Sequence, residues 1–488
     1  MRHLKFDFNN MFSSNVGKDH GVRENELKNA TKVIQKTHKH LKKIINSPFE
    51  RIALGLEWTQ LPYQNKGTLE QIQVLGDEIA KRFENVVFLG IGGSYLGLKA
   101  AQDALAPCYY NEFSPLRNKR PRIYFEGNNL DAQTLSVLIK NLEPKKTFVV
   151  VISKSGETTE TKAAFQIVES WLKKHVGKSY GRQVVAITDP RSGSLRKKVN
   201  AAHSRDALSF RSLPLLKGVG GRFSEFNMGL LHLAIIGVDI KEVLAGARAM
   251  LRRCSSPSVY ENPAYMYALL QTILYIKKRK SIAILMPFSE KLKSTADWYV
   301  QLLAESLGKK YGRRIETDSS GREIWKKANI VNLGRTPISA RGTNDLHSIQ
   351  QNNIEGENNK TVTFVRVASF ARDLRTPKAG DFLSDRSYCK LLNLAHEATE
   401  WALSREKRPN CTIIMPQVNP YHWGELIFFF EIATAFEGEL LEVNAFDQPG
   451  VESYKNYMYY KLRRPGMPKE IAREIKDNPL VKKTRFII

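Results

Sequence analysis

Cysteine is scarce: 488 residues contain four, Cys108, Cys254, Cys389 and Cys411, with no CxxC pair. Such scattered positions encode neither a disulfide framework nor a thiolate metal centre, and reduced thiols are expected. Histidine offers no ligand set either. His396-Glu397-Ala398-Thr399-Glu400 misses HExxH because Glu400 stands in place of the second histidine, so no zinc site is expected. The chain has no GxxxxGK[ST] loop, no GxGxxG with a suitably placed acid and no GxSxG elbow, which weighs against nucleotide, dinucleotide and serine-hydrolase readings. Long apolar runs are missing as well. The longest, residues 426–436, is interrupted by Glu431 and is too short to cross a bilayer. The opening Met1-Arg2-His3-Leu4-Lys5-Phe6-Asp7 lacks a signal-peptide core, so a cytoplasmic location without membrane attachment is expected.

Acidic residues are in deficit. Against 49 Asp and Glu stand 75 Lys and Arg, a net charge of +26. That balance invites a nucleic-acid reading through counterion release. The excess is spread out, however, over runs such as 277–280, 309–314 and 482–485, and no RNP-type motif, zinc finger or basic heptad accompanies it. A basic solvated surface that attracts anionic metabolites is the preferred reading over a nucleic-acid partner.

What is present is the composition of a globular protein, 42% hydrophobic and 25% charged, with length enough for a large core. Residues 24–46 place Leu27, Val33, Ile34, Leu41, Ile44 and Ile45 on an irregular helical stripe among lysines, which predicts an amphipathic helix. From about residue 84, short apolar runs at 86–91, 123–125, 148–152 and 184–187 alternate with helix-like segments. Residues 223–280 read as mostly helical, and a second set of strand-like runs follows at 282–286, 362–367 and 412–415. This alternation predicts an α/β protein with two parallel sheets flanked by helices. A faint echo between residues 149–155 and 282–289 suggests an internal duplication. The expected division is a helical arm over 1–60, α/β domains over 61–254 and 255–443, and a helix with a basic tail over 444–488.

Two corners carry the first chemical signals. Gly90-Ile91-Gly92-Gly93-Ser94-Tyr95-Leu96-Gly97 follows a buried run and opens a helix, so backbone can approach a ligand closely. Ser153-Lys154-Ser155-Gly156-Glu157-Thr158-Thr159-Glu160-Thr161 places five hydroxyls and a lysine at a helix N-terminus, more than capping requires, and suits a phosphate monoester. Further segments combine titratable groups with glycine: Gly220-Gly221-Arg222-Phe223-Ser224, Ala304-Glu305-Ser306-Leu307-Gly308, and Gly342-Thr343-Asn344-Asp345-Leu346-His347-Ser348. Taken singly, each fits a surface ion pair or a structural histidine. Finally, Gln448 stands seven residues before Lys455, two turns if helical.

Together and in this order, these segments resemble the glucose-6-phosphate isomerase family in its shorter bacterial form, from about residue 57 to Lys455. The resemblance implies two sugar-isomerase (SIS) domains, each a three-layer α/β/α unit with a parallel sheet, and a homodimer with active sites near the subunit interface. It implies a phosphate site at Ser153, Lys154, Ser155 and Thr158, and sugar contacts from Gly93, Ser94, Gly221, Gln301 and Gln448. Glu305 matches the family's catalytic base and Arg222 the cation beside the intermediate. His347 corresponds to the ring-opening histidine, supplied from the other subunit, and Lys455 to a further catalytic contact. Segments 309–314 and 352–360 depart from the family pattern.

The implied reaction is reversible isomerisation of glucose 6-phosphate and fructose 6-phosphate through a cis-enediol, as in glycolysis and gluconeogenesis. It needs no cofactor and no metal where an arginine holds the developing oxyanion. Two rivals are an isomerase that also accepts mannose 6-phosphate and a non-catalytic SIS-type sugar-phosphate sensor. The sensor would need the phosphate corner but not Glu305, His347 and Lys455.

Overall fold

Burial of one stripe of an otherwise charged segment builds the first long helix. In the computed structural model, which describes residues 3–488, Glu24–Asn46 is a helix that buries Leu27, Ile34, Leu41 and Ile44. Val33 points outward, off the expected stripe. The Glu26 side chain accepts the Arg23 amide at 2.9 Å, closing the first turn. Ahead of it lies an element not foreseen in the helical arm, strand β1 (Lys5–Asp7). Met1 and Arg2, part of the expectation about the N-terminus, lie outside the described residues.

The first sheet contains β2 (Asn85–Leu89), β3 (Arg122–Glu126), β4 (Thr147–Ile152), β5 (Val184–Thr188) and β6 (Arg211–Pro214). β2, β4 and β5 are buried at every residue, which explains why they read as continuous apolar runs instead of alternating ones. β6 is a partly exposed edge strand whose Arg211, Ser212 and Pro214 carry no apolar signal, and it was not anticipated. Val87, Leu89, Val149, Val151, Phe165 and Leu172 belong to the core against which the helix Thr159–Val176 packs. All strands are parallel, in the order β3-β2-β4-β5-β6. The chain therefore leaves β2 outward to β3 and returns on the other side to β4. In doubly wound sheets this reversal opens a crevice at the carboxyl ends of the two central strands.

The second sheet repeats that winding. β7 (Ile282–Phe288) precedes a hairpin of β8 (Lys309–Thr317) and β9 (Glu323–Leu333), then β10 (Thr336–Ser339), β11 (Lys360–Val367) and β12 (Asn410–Met415). The sheet order is β1-β12-β11-β7-β10, with β1 antiparallel on the edge and the other strands parallel. β7 is thus the counterpart of β2, each the first strand of its parallel set. The sequence echo had paired β4 with β7 and so matched strands that are not topologically equivalent. The departure at 309–314 becomes the start of the hairpin, tied down where Arg313 Nη2 donates to Glu439 at 2.9 Å and His40 Nε2 meets Glu323 at 2.7 Å.

The helices Glu225–Ile236, Ile240–Arg253 and Pro263–Lys278 fill the stretch expected to be helical. The apolar run at 426–436 lies in Pro420–Leu440, a helix buried on all sides. Among the described residues no helix is long and apolar enough to cross a membrane. Both sheets belong to one compact unit that ends at Ala445. A second unit, Phe446–Ile488, contains the helices Glu452–Lys461 and Lys469–Asp477.

Candidate active site

The parallel register sets Leu89 of β2 against Val151 of β4, so the two corners leave the sheet on the same edge at the reversal. Adjacent strands lie about 4.8 Å apart, which makes these corners neighbours. In the first, Gly92 takes φ +59°, and the helix Gly93–Leu105 starts at once. Gly93 is buried, and Ser94 is half-buried beside it.

In the second corner the hydroxyls organise the backbone. Ser153 Oγ accepts the Gly156 amide at 3.0 Å, and Ser155 Oγ accepts the Glu157 amide at 3.1 Å. Gly156 has φ +76°, and a Cβ there would meet the Leu195 amide nitrogen at 2.5 Å. Thr158 occupies the N-cap of the helix Thr159–Val176 yet makes no capping bond with its side chain. Its hydroxyl and the first-turn amides are donors at this corner, and Lys154 beside them in sequence is exposed.

The Arg222–Glu305 ion pair is assembled from distant parts of the chain. A short turn, Gly221–Phe223, carries Arg222, which is only 1% exposed. Its Nε donates to Ser306 Oγ at 2.8 Å and its Nη2 to the Ala445 carbonyl at 2.6 Å. Nη1 is left to meet Glu305 Oε2 at 3.2 Å. Glu305 Oε1 accepts from Gln301 Nε2 at 3.1 Å, one turn earlier on the helix Lys293–Leu307. The Glu305 side chain retains 26% exposure, so the carboxylate is held from both sides and still open to a ligand. The Gln301 amide also reaches the first corner: a Cβ on Gly92 would lie 3.0 Å from its Nε2. Its carbonyl oxygen is buried without a hydrogen-bond donor among the described residues.

Gly93, Gly221, Arg222, Gln301 and Glu305 are therefore brought together by direct contacts. Ser306 and the Ala445 carbonyl, which orient Arg222, were missed; a serine after a glutamate and a backbone oxygen leave no mark in a sequence. His347 ends the short turn Asn344–His347 with its side chain exposed, and among the described residues no hydrogen bond or ion pair joins it to Glu305 or Arg222. Gln448 and Lys455 belong to the second unit, where Lys455 Nζ pairs with Glu452 at 2.8 Å.

A doubly wound α/β protein with a hydroxyl-rich helix N-terminus at its strand reversal, and a carboxylate beside a fixed guanidinium, has the architecture of an α/β enzyme. The sequence model of the family described as phosphoglucose isomerase matches residues 69–381 and 395–465. The glucose-6-phosphate isomerase of Carboxydothermus hydrogenoformans is 37% identical over 99% of both chains, and that of Symbiobacterium thermophilum 35% identical over 84% of this chain and 87% of its own. The crystal structure of a hypothetical protein of Thermus thermophilus is similar with a TM-score of 0.78 at 30% identity, covering 94% of this chain and 99% of that one. The glucose-6-phosphate isomerase of Chlamydia trachomatis shares the fold, with a TM-score of 0.70 at 21% identity over 92% of this chain and 88% of its own. The chain belongs to the phosphoglucose isomerase family.

Proposed function

We propose that this protein interconverts glucose 6-phosphate and fructose 6-phosphate, the activity named for its relatives. The observation that carries the reading is the Glu305 carboxylate held 3.2 Å from the guanidinium of buried Arg222, beside the glycine corner at the sheet reversal. The phosphate rests on Ser153, Lys154, Ser155 and Thr158. Gly93, Ser94, Gly221, Gln301 and Gln448 contact the sugar. Phosphate binding away from the reacting carbons orients them and turns binding energy into rate.

With the ring open, Glu305 removes the C2 proton of the aldose. The C–H electron pair forms the C1=C2 bond, and the former carbonyl oxygen takes up negative charge facing Arg222. Glu305 then returns the proton to C1, and a proton passes between the two oxygens to leave the ketose. No electrons leave the substrate. General-base transfer contributes about 10² to 10⁴ in rate, and a fixed cation a comparable factor. His347, from the partner subunit of a homodimer, opens the ring, with Lys455 as a further catalytic contact. The sugar phosphate is a cytoplasmic metabolite of glycolysis and gluconeogenesis, and we place the enzyme there. The proposed domain division is the one expected from sequence, 61–254 and 255–443 between terminal extensions.

A coupled assay of glucose 6-phosphate formed from fructose 6-phosphate tests the reading. Turnover in the wild type that disappears in Glu305→Gln supports it; a folded wild type without turnover on either sugar overturns it.

A further inference from the structure

Three residues after Arg222, Glu225 turns its carboxyl into the protein interior, where it meets Glu431 of the helix Pro420–Leu440. Glu225 is 3% exposed and Glu431 fully enclosed. Glu225 Oε1 accepts the indole N–H of Trp298 at 2.7 Å. The backbone amides of Glu225 and Ser224 also act on the Glu225 carboxyl, but among the described residues no side-chain donor reaches Glu225 Oε2 or either oxygen of Glu431. Among the described residues no Lys, Arg or His forms an ion pair with either. Two ionised carboxylates in such a place would repel with no cation to offset them, whereas one proton between them supplies a donor. Burial raises both groups, Glu225 to about 7, while Glu431 lies well above the ordinary range, pushed further by its neighbour.

Other titratable groups on the surrounding helices are engaged elsewhere. His232 bonds Gln102, Lys99 pairs with Asp103, Glu425 meets His3, Glu437 meets Arg335 and Glu439 meets His40, while Asp297 is half-buried. Glu225 itself sits where three site-bearing elements converge. It follows Arg222 on its own segment. Trp298 precedes Gln301 by three residues and Glu305 by seven, on the same face of their helix. Gly97, on the helix that Gly93 opens, has no room for a Cβ, which would lie 2.6 Å from Glu225 Oε1.

We propose that Glu225 is a positioning residue: by accepting the Trp298 N–H and sharing one proton with Glu431, it sets the separation of Arg222 and Glu305. This rests on the isomerase reading above. Trp298→Phe removes the donor together with part of a fully buried ring, so Tm falls, and kcat falls about tenfold or more while KM stays within about twofold. Glu225→Leu does the same. Glu431→Gln keeps a donor toward Glu225, so it retains kcat at neutral pH but loses the alkaline fall in kcat that titration of the pair produces in the wild type.

Infrared spectroscopy reads the proton without reference to turnover: a protonated-carboxyl stretch is present at neutral pH in the wild type and lost in Glu431→Gln. Wild-type turnover alone decides the isomerase reading, so the two can fail separately. A Trp298→Phe enzyme with lowered Tm and unchanged kcat overturns the positioning role. So does a wild type without the protonated-carboxyl band, or a Glu431→Gln enzyme whose alkaline limb matches the wild type.

Discussion

Gly93 and Gly221 pack backbone to backbone, so closely that a Cβ on Gly93 would lie 2.1 Å from the Gly221 carbonyl oxygen. The oxygen belongs to main chain and a Cβ is fixed by it, so neither could swing aside. The contact fixes how far the first corner stands from the turn that carries Arg222. Gly93→Ala is expected to displace that turn and to lower kcat/KM by about tenfold or more, since small displacements of acid-base groups are costly. An alanine variant with wild-type kinetics would show that the spacing is slack.

Glu305→Gln keeps shape and hydrogen bonding but removes the proton acceptor. Turnover should fall by about 10² or more, with sugar-phosphate affinity largely retained. Steady-state kinetics alongside calorimetric titration with product separates the two effects. Near-normal turnover in the folded variant would rule out Glu305 as the base.

The exposed position of His347, without a bond to Glu305 or Arg222 in its own chain, leads to a mixing experiment. If the partner subunit supplies this histidine, a heterodimer of Glu305→Gln and His347→Ala has one doubly damaged site and one intact site. Random pairing of equal amounts makes about half the dimers mixed, so roughly a quarter of wild-type activity should return. No recovery after verified subunit exchange would place His347 in its own chain's site or outside catalysis.

His40 joins the helix Glu24–Asn46 to the hairpin and to Glu439. Its two ring nitrogens lie 2.7 Å from Glu323 and 2.7 Å from Glu439, and those hydrogen bonds, Glu323 first, raise its pKa from 6.5 to about 9. A folded-state value above the unfolded one means the contribution is fully present below 6.5 and lost as pH rises through about 9. At 1.36 kcal/mol per unit, it amounts to about 3 kcal/mol at most. Urea midpoints across this window should fall more steeply in the wild type than in His40→Gln; parallel slopes would sink the assignment.

Much of the architecture could be read directly from local patterns. The runs at 148–152 and 184–187 predicted β4 and β5 because strands buried on both faces need apolar residues throughout, and the stripe at 24–46 predicted its helix because one face had to be covered. The glycine and hydroxyl corners were visible for a similar reason: backbone conformation and helix-end chemistry are decided within a few residues. Edge strands β6 and β10 and the hairpin carry no such pattern, since half-exposed strands tolerate polar and basic side chains.

What tertiary structure alone decided is which distant groups meet. Hydrophobic periodicity states that a face is buried but not against what, so β1 could not be assigned to β12, some 400 residues away from it. Arg222 and Glu305 were each visible as residues with a family counterpart, yet their 3.2 Å approach, the Ser306 hydroxyl and the Ala445 carbonyl that hold the guanidinium arise from packing across 83, 84 and 223 residues. Glu431 was noticed only as an interruption in an apolar run. Its placement against Glu225 comes from the helix that buries it, because a carboxyl's environment is set by whatever the fold packs around it, and that is not a local property of the chain.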